Sequence, residues 1–286
     1  MALPEVCRQY TAFSLMRLFD LTLLTESTNR AETVASSCAA CKGGPPVASS
    51  ICVLPSEVKS VKSSVLAQQQ NLQATGQQQR VSAALNYPDG SKSTEEVCME
   101  AVSALKDGAE EFECLIDWKA MNRDAADGEN RVRVLISEVK KVVSPRVVRA
   151  VLEVGKLSGG DIISRAGIAA LQGGADFLQT SSGLEADQTT FFAVHLLSVV
   201  LDEYAKRAGQ EAQWNPLVQN AKKVGIKVDI GPNGSQLEAT NYVLQIIFEK
   251  GIDFIHPSTF RIGGSVKLLK ELKEVAAGYV PPDTTK

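Results

Sequence analysis

Short apolar runs alternate with amphipathic helical stretches along almost the whole chain, and this alternation limits the folds that the chain can adopt. Most of the runs are nearly continuous in apolar and β-branched residues, as expected for parallel strands covered on both faces. The predicted strands are Phe19–Leu24, Ser49–Pro55, Gln79–Pro88, Glu110–Asp117, Arg146–Val154, Ala175–Ser181, Val224–Gly231 and Thr259–Gly264. Eight strands with a helix after each predict an α/β protein built as a closed (β/α)8 TIM barrel.

An open doubly wound sheet is the alternative that this pattern leaves. That fold favours a GxGxxG motif directly after a strand, and none of the eight predicted strands is followed by one. The length of 286 residues suits one barrel domain. We therefore expect a single domain over residues 1–286, with an N-terminal helix, the barrel over about residues 15–275 and a mobile, Pro-rich tail over residues 276–286.

Capping residues and glycines mark the predicted helix boundaries. Ser93 or Thr94 precedes a stretch with early glutamates that stops at Gly108. Ser235 is followed three residues later by Glu238, and this spacing predicts a capping box at the start of another helix.

Composition and charge exclude several classes of function. A net charge of −3 argues against a nucleic-acid-binding surface, which normally carries a basic excess. No apolar run reaches the roughly 18 residues of a membrane span, which argues against a membrane protein. The chain begins without a basic-then-apolar signal peptide, so we expect a cytoplasmic protein whose six cysteines are thiols.

Cysteine and histidine residues carry only weak signals. Cys38 and Cys41 form a CxxC without the strand and helix context of a redox motif, and we interpret them as two buried thiols on one helical turn. His195 lies in an apolar helical stripe and is predicted to pack in the core. The chain has only two histidines, so no metal site and no cofactor are predicted.

Polar residues at the carboxyl ends of the strands are the candidate site, because barrels place their chemistry there. Lys227 is informative, since a charge inside a parallel strand needs either a pocket or a structural partner. Glu113 occupies a similar place, and a buried carboxylate near a buried lysine indicates either proton relay or a structural ion pair. The full set is Asp20, Thr22, Cys52, Glu113, Glu153, Gln179, Thr180, Ser181, Ser182, Lys227, Asp229, Asn233 and Ser265.

The segment "FRIGGS", Phe260–Ser265, ends a predicted strand with two glycines and opens a helix. Exposed N–H groups at a helix start attract anions, and barrels commonly hold phosphate after strands seven and eight. This segment is therefore a candidate phosphate site. The alternative is a tight glycine turn that binds no ligand.

Several segments together resemble the deoxyribose-phosphate aldolase family. "ADFLQTSSGL" is similar to the family's "DFIKTSTGK"-like strand, and "TFRIGGS" to its "LFRIGAS"-like segment. "SSICVLP", "LNYPDG" and "VLEVGKL" resemble its second, third and fifth strands. The resemblance runs from about Leu15 to Leu272 and implies a TIM barrel. It also implies the cleavage of 2-deoxyribose 5-phosphate into acetaldehyde and glyceraldehyde 3-phosphate, through a Schiff base and without a metal.

The resemblance also implies roles for individual residues. Gln179 stands where the family carries its Schiff-base lysine, Lys227 where it carries a helper lysine, and Glu113 where it carries a relay aspartate. Asp20 and Cys52 match the family's first-strand aspartate and second-strand cysteine. The implied phosphate-binding residues are Ser181, Ser182, Gly231, Gly263, Gly264 and Ser265.

Four further positions differ from the family or are hard to align. Leu184 and Arg149 stand where lysines are usual, and Pro232 removes a backbone N–H that could meet phosphate. Tyr279 could act as the C-terminal tyrosine that reaches the site in several members.

The loss of the lysine predicts a catalytically inactive or severely weakened homologue. An amide nitrogen shares its lone pair with its carbonyl, so Gln179 cannot form an iminium. Removing a covalent nucleophile costs on the order of 10⁶ in rate, or about 8 kcal/mol of barrier. The alternative is an active aldolase working through Lys227, which would need an unprotonated amine that Glu113 opposes.

A non-catalytic barrel would serve as a binding protein. The expected partners are a sugar phosphate or another protein, and the resemblance allows a homodimer. Neither nucleic acid nor a membrane is an expected partner.

Overall fold

The computed structural model describes residues 5–24, 47–73, 79–185, 189–212 and 224–277. Eight parallel strands close into a barrel in the order of the chain. This architecture confirms the predicted (β/α)8 barrel, and every strand lies within its predicted run. The strands are β1 Phe19–Leu23, β2 Ser50–Val53, β3 Arg80–Leu85, β4 Glu111–Leu115, β5 Val147–Val151, β6 Phe177–Gln179, β7 Gly225–Asp229 and β8 Phe260–Gly264.

Helices surround the barrel and connect its strands. Within the described residues they are α1 Glu5–Met16, α2 Val58–Gln73, α3 Thr94–Lys106, α4 Trp118–Arg123, α5 Ala125–Val143, α6 Gly160–Gln172, α7 Phe191–Ala212, α8 Gln236–Lys250 and α9 Val266–Ala276, with short 3-10 turns at Pro55–Glu57 and Ile252–Phe254. The predicted N-terminal helix is α1, which packs against α9. None of the helices described here is long and apolar enough to cross a membrane. Cys38, Cys41 and Tyr279 lie outside the described residues.

The predicted helix caps form at the expected serines. The Ser93 hydroxyl accepts the N–H of Glu96, and the Glu96 carboxylate accepts the N–H of Ser93 at 2.8 Å, which completes a capping box. Ser235 begins α8 by accepting the N–H of Glu238 at 3.3 Å. Each cap satisfies backbone donors that would otherwise lack a partner in the first turn.

Strand alternation divides the side chains between two regions. Phe112 and Cys114 belong to the large apolar core between the barrel wall and the helices. Leu115 belongs to a smaller cluster with Cys52 and Ala84. Because successive side chains on a strand point to opposite faces, Glu111 and Glu113 share the inner face with Leu115. The barrel interior is therefore lined by charged side chains with an apolar layer above them.

His195 does not pack in the core, and the prediction for it is wrong. Half of its side chain is exposed (53%), and its Nδ1 atom lies 3.3 Å from the Glu249 carboxylate. The buried stripe of α7 is formed by Ala193, Val194 and Leu197. A helix turns about 100° per residue, so position 195 lies off that stripe despite its apolar neighbours in sequence.

Candidate active site

The barrel register brings the predicted catalytic residues together. Gln179 of β6 lies opposite Lys227 of β7, and Glu113 of β4 lies opposite Arg149 of β5. Asp20 of β1 pairs with β8 across the closure of the barrel. The side chains of Gln179, Lys227, Glu113, Asp20 and Cys52 are all fully buried. The residues therefore form one interior cluster, although they are separated by up to 207 positions in the chain.

Gln179 and Lys227 both bind Glu113. The Gln179 amide nitrogen donates to Glu113 Oε2 at 2.9 Å and to the Ser181 carbonyl at 2.9 Å. Lys227 Nζ donates to the other oxygen, Glu113 Oε1, at 2.7 Å. One carboxylate thus holds both side chains, and the amide at position 179 serves as a hydrogen-bond donor.

A wider network of buried charges surrounds this contact. Asp20 accepts from Arg261 at 2.7 Å and lies 3.6 Å from Arg149 and 3.7 Å from Lys227. Arg149 also donates to Glu111, which lies 3.6 Å from Arg261. Three carboxylates therefore face three cations inside the barrel. Residues in this network are Asp20, Glu111, Glu113, Arg149, Lys227 and Arg261, none with more than 3% of its side chain exposed.

The sequence reasoning missed two members of this network, Glu111 and Arg261. Glu111 lies two residues before Glu113 on one strand, so alternation places it on the same inner face. Arg261 is a charge inside a predicted parallel strand, which is the signal that singled out Lys227. The same argument applied to every strand would have identified both.

The network sets the protonation states of Lys227, Asp20 and Glu113. Burial favours the neutral amine of Lys227, but the carboxylates of Glu113 and Asp20 outweigh it and hold the lysine pKa above its ordinary value. Burial likewise opposes ionisation of Asp20, but Arg261, Arg149 and Lys227 lower its pKa to about 2. The pKa of Glu113 is also lowered, against the effect of burial, by Lys227 and Arg149. Lys227 is therefore an ammonium and both acids are carboxylates near neutral pH.

Cys52 lies in the apolar layer above the charges, with Ala84, Leu115 and Val151. Burial is the main cause that raises the pKa of its thiol well above the ordinary value, and the negative charge of Glu113 adds to it. Cys52 is therefore a neutral thiol, and it packs as a small apolar side chain.

The predicted phosphate-binding residues lie at the mouth of the barrel, which the carboxyl ends of the strands form, and three of their hydrogen-bond donors have partners inside the protein. The Gly231 N–H donates to Asp229 Oδ1 at 3.0 Å, and the Ser182 N–H donates to Glu153 Oε1 at 2.7 Å. The Ser265 hydroxyl donates to the Pro232 carbonyl at 2.8 Å. The Ser181 hydroxyl lies 3.4 Å from the Asp229 carbonyl, while Gly263 and Gly264 form the buried end of β8.

Asp229 belongs to the candidate set predicted from the sequence, which assigned it no role. Burial is the main cause that raises its pKa to about 6, and Lys227 partly offsets this effect. Its Oδ2 atom accepts from the Thr22 hydroxyl at 3.2 Å. An aspartate on the inner face of β7 was visible in the sequence, but its contacts with other strand ends were not.

The geometry of the described residues does not support metal binding. The described ranges contain no group of three or more His, Cys, Asp or Glu side chains placed to hold a metal ion. The buried carboxylates of the barrel are instead paired with arginine and lysine.

Comparison with known proteins identifies the family. No family model matches the chain. It is 41% identical over 292 residues to the "Divergent deoxyribose-phosphate aldolase-like protein" of Toxoplasma gondii, a match that covers 100% of both proteins. The chain belongs to the deoxyribose-phosphate aldolase-like family. It is also 29% identical over 203 residues to the deoxyribose-phosphate aldolase of Agrobacterium fabrum, covering 71% of this chain and 70% of that protein.

Solved structures agree with this family. A 1.8 Å crystal structure of a protein from Toxoplasma gondii ME49, assigned to the deoxyribose-phosphate aldolases, has a TM-score of 0.86 and 40% identity. That match covers 96% of this chain and 97% of the other. The tetrameric deoxyribose phosphate aldolase of Aeropyrum pernix has a TM-score of 0.61 at 18% identity, which shows a shared fold. The resemblance found in the sequence is confirmed.

Proposed function

We propose that this deoxyribose-phosphate aldolase-like protein is non-catalytic and retains its barrel for binding. The observation that carries the proposal is Gln179 itself. It lies fully buried inside the barrel, and its amide nitrogen donates hydrogen bonds to Glu113 and to the Ser181 carbonyl. Position 179, where the family carries the lysine that attacks the substrate, therefore holds an amide whose nitrogen has no free electron pair.

Lys227 does not supply the missing amine. A lysine attacks a carbonyl only when it is unprotonated, which requires desolvation or a cationic neighbour that lowers its pKa. Its Nζ atom instead lies 2.7 Å from Glu113 and 3.7 Å from Asp20. These carboxylates hold the pKa of Lys227 above its ordinary value, so the neutral amine is scarce at physiological pH.

The geometry of the relay position gives further support. Glu113 holds Gln179 with one oxygen and Lys227 with the other. A general base must reach the proton that it takes, within about 3 Å or through one water. Both oxygens of Glu113 are instead committed to structural partners. The barrel would then act through binding a ligand or a protein, and its cytoplasmic location stays a prediction.

A trapping experiment tests the loss of catalysis. Purified protein is incubated with acetaldehyde and sodium borohydride, digested, and analysed by peptide mass spectrometry, in parallel with an assay of 2-deoxyribose 5-phosphate cleavage. We expect no reduced adduct on Lys227 and no cleavage above background. An adduct on Lys227 together with enzymatic turnover would refute the proposal and support the active aldolase.

The variant Gln179→Lys provides the matched control. A lysine at this position would lie next to the Lys227 ammonium, and a cationic neighbour lowers the pKa of an amine and so favours its reactive, unprotonated form. We expect this variant to form a borohydride-stable adduct at position 179. That result would show that aldehyde reaches the barrel interior. It would also show that the natural protein is inactive because position 179 carries an amide in place of an amine.

A further inference from the structure

Three glycines from three consecutive strand ends approach one carboxylate at the barrel mouth. A Cβ atom added to Gly263 of β8 would lie 2.1 Å from Asp229 Oδ2, and one added to Gly183 after β6 would lie 2.5 Å from Asp229 Oδ1. Gly231 after β7 donates its N–H to the same Oδ1 at 3.0 Å. Glycines at such positions allow the backbone to come close to a bound group. Here the group that they enclose is the protein's own side chain.

The Asp229 carboxylate fills the space between these three glycines, which we call the anion seat. Burial raises the pKa of Asp229, so this space is unfavourable for any charge. The carboxylate receives a backbone N–H from Gly231 and a hydroxyl from Thr22, within a buried space beside Lys227. Loops after strands seven and eight, with the start of the following helix, are where barrels commonly bind phosphate. Gly231 lies in the loop after β7, while Asp229 is the last residue of β7 and Gly263 lies at the end of β8.

The backbone of Asp229 holds its side chain in this place. Its N–H donates to the Thr180 hydroxyl at 3.0 Å, and its carbonyl accepts from the Thr189 hydroxyl at 2.6 Å. A second internal carboxylate engages a neighbouring donor in the same way. Glu153, which is 2% exposed and has a left-handed backbone with φ of 52°, accepts the N–H of Ser182 at 2.7 Å.

We infer that Asp229 is the specificity-determining residue of the mouth: its carboxylate occupies the anion seat, so the barrel excludes sugar phosphates. A phosphate dianion would have to displace the carboxylate from its donors and then remain beside a like charge in a buried space, where charges interact strongly. A ligand of this part of the mouth is therefore uncharged or cationic. Of the partners predicted from the sequence, a sugar phosphate or a protein, this leaves a protein.

The inference extends the proposed function and rests on it in one respect, because a barrel that cleaves a sugar phosphate must seat it. The experiment therefore measures binding, and the cleavage assay described above measures turnover separately. Binding of 2-deoxyribose 5-phosphate without cleavage would overturn the inference and leave the proposed function intact. Cleavage of the same compound would overturn both.

Isothermal titration calorimetry with inorganic phosphate and with 2-deoxyribose 5-phosphate provides the test. The proteins are the natural chain, Asp229→Ser, which removes charge and volume, Asp229→Asn, which removes charge alone, and Asp161→Ser, a control at a side chain that is 81% exposed. We expect Asp229→Ser to bind both anions at least tenfold more tightly than the natural chain. Asp161→Ser should match the natural chain, and Asp229→Asn should gain less than Asp229→Ser because the seat stays filled.

Three results would overturn the inference. The first is binding by the natural chain as tight as binding by Asp229→Ser. The second is an Asp229→Ser protein that gains no affinity although circular dichroism and urea unfolding show that it is folded. The third is an equal gain in Asp229→Asn, because that variant leaves the space filled. If a variant fails to fold, binding of 2-deoxyribose 5-phosphate by the natural chain would still overturn the inference.

Discussion

The buried Asp229 makes a specific prediction about how stability depends on pH. Its pKa is raised from 3.8 to about 6 by burial. The native protein therefore binds a proton on this group more tightly than the unfolded chain does. The resulting stability is fully present below the unfolded pKa and is lost as pH rises towards and through the folded pKa.

The magnitude follows from the difference between these two pKa values. Each unit of pKa is worth about 1.4 kcal/mol, so complete ionisation of Asp229 lowers the free energy of unfolding by about 3 kcal/mol. Much of this loss has already occurred at about pH 5, which lies between the two pKa values. The part that remains between about pH 5 and about pH 8 is about 1.4 kcal/mol.

The assay is urea unfolding of the natural protein and of Asp229→Asn near pH 5 and near pH 8. We expect the natural protein to lose about 1.4 kcal/mol more than the variant between the two conditions, because only the natural protein ionises at this position. All other titrating groups are shared and cancel in the subtraction. Asp161→Asn, at an exposed position, should behave like the natural protein. Parallel pH dependence in the natural protein and Asp229→Asn would refute the reasoning.

Two further predictions concern the barrel interior. Glu113→Gln should lower the free energy of unfolding in urea by about 3–5 kcal/mol, since it removes the negative charge closest to the buried Lys227 ammonium. The control Glu138→Gln, in an exposed ion pair, should lower it far less. Equal losses in the two variants would contradict the buried ion pair. Cys52 should resist a thiol reagent in the native state while the exposed Cys7 reacts, because burial raises the Cys52 pKa and blocks access. Peptide mass spectrometry checks this second prediction, and equal labelling of the two cysteines would contradict it.

Much of the fold was predictable from the chain because its signals are local. Each strand is a short apolar run, and the cap at Ser93 needs only a serine and a glutamate three residues apart. The placement of Gln179 and Lys227 on adjacent strands followed from the barrel and the strand order. Alternation along a strand, a local rule as well, would have added Glu111 and Arg261 to the site.

The parts that were not predictable depend on contacts between distant segments. Gly183, Asp229 and Gly263 lie on three different strand ends, and only the closed barrel brings them together. The sequence predicts Gly263 as a phosphate-binding residue, because a sequence does not show which group a glycine approaches. The exposure of His195 was missed for a related reason, since its apolar neighbours suggested burial and only its position on the packed helix shows that it faces solvent.

The close packing around Asp229 has a consequence for the interpretation of glycine motifs in general. An alanine at position 263 would place its methyl carbon 2.1 Å from the Asp229 carboxylate, so glycine is the residue that fits there without moving Asp229, whether or not any small molecule binds. A side chain of the same protein can thus require the glycine that a ligand would also require. A glycine motif at a barrel mouth therefore does not by itself indicate a bound ligand.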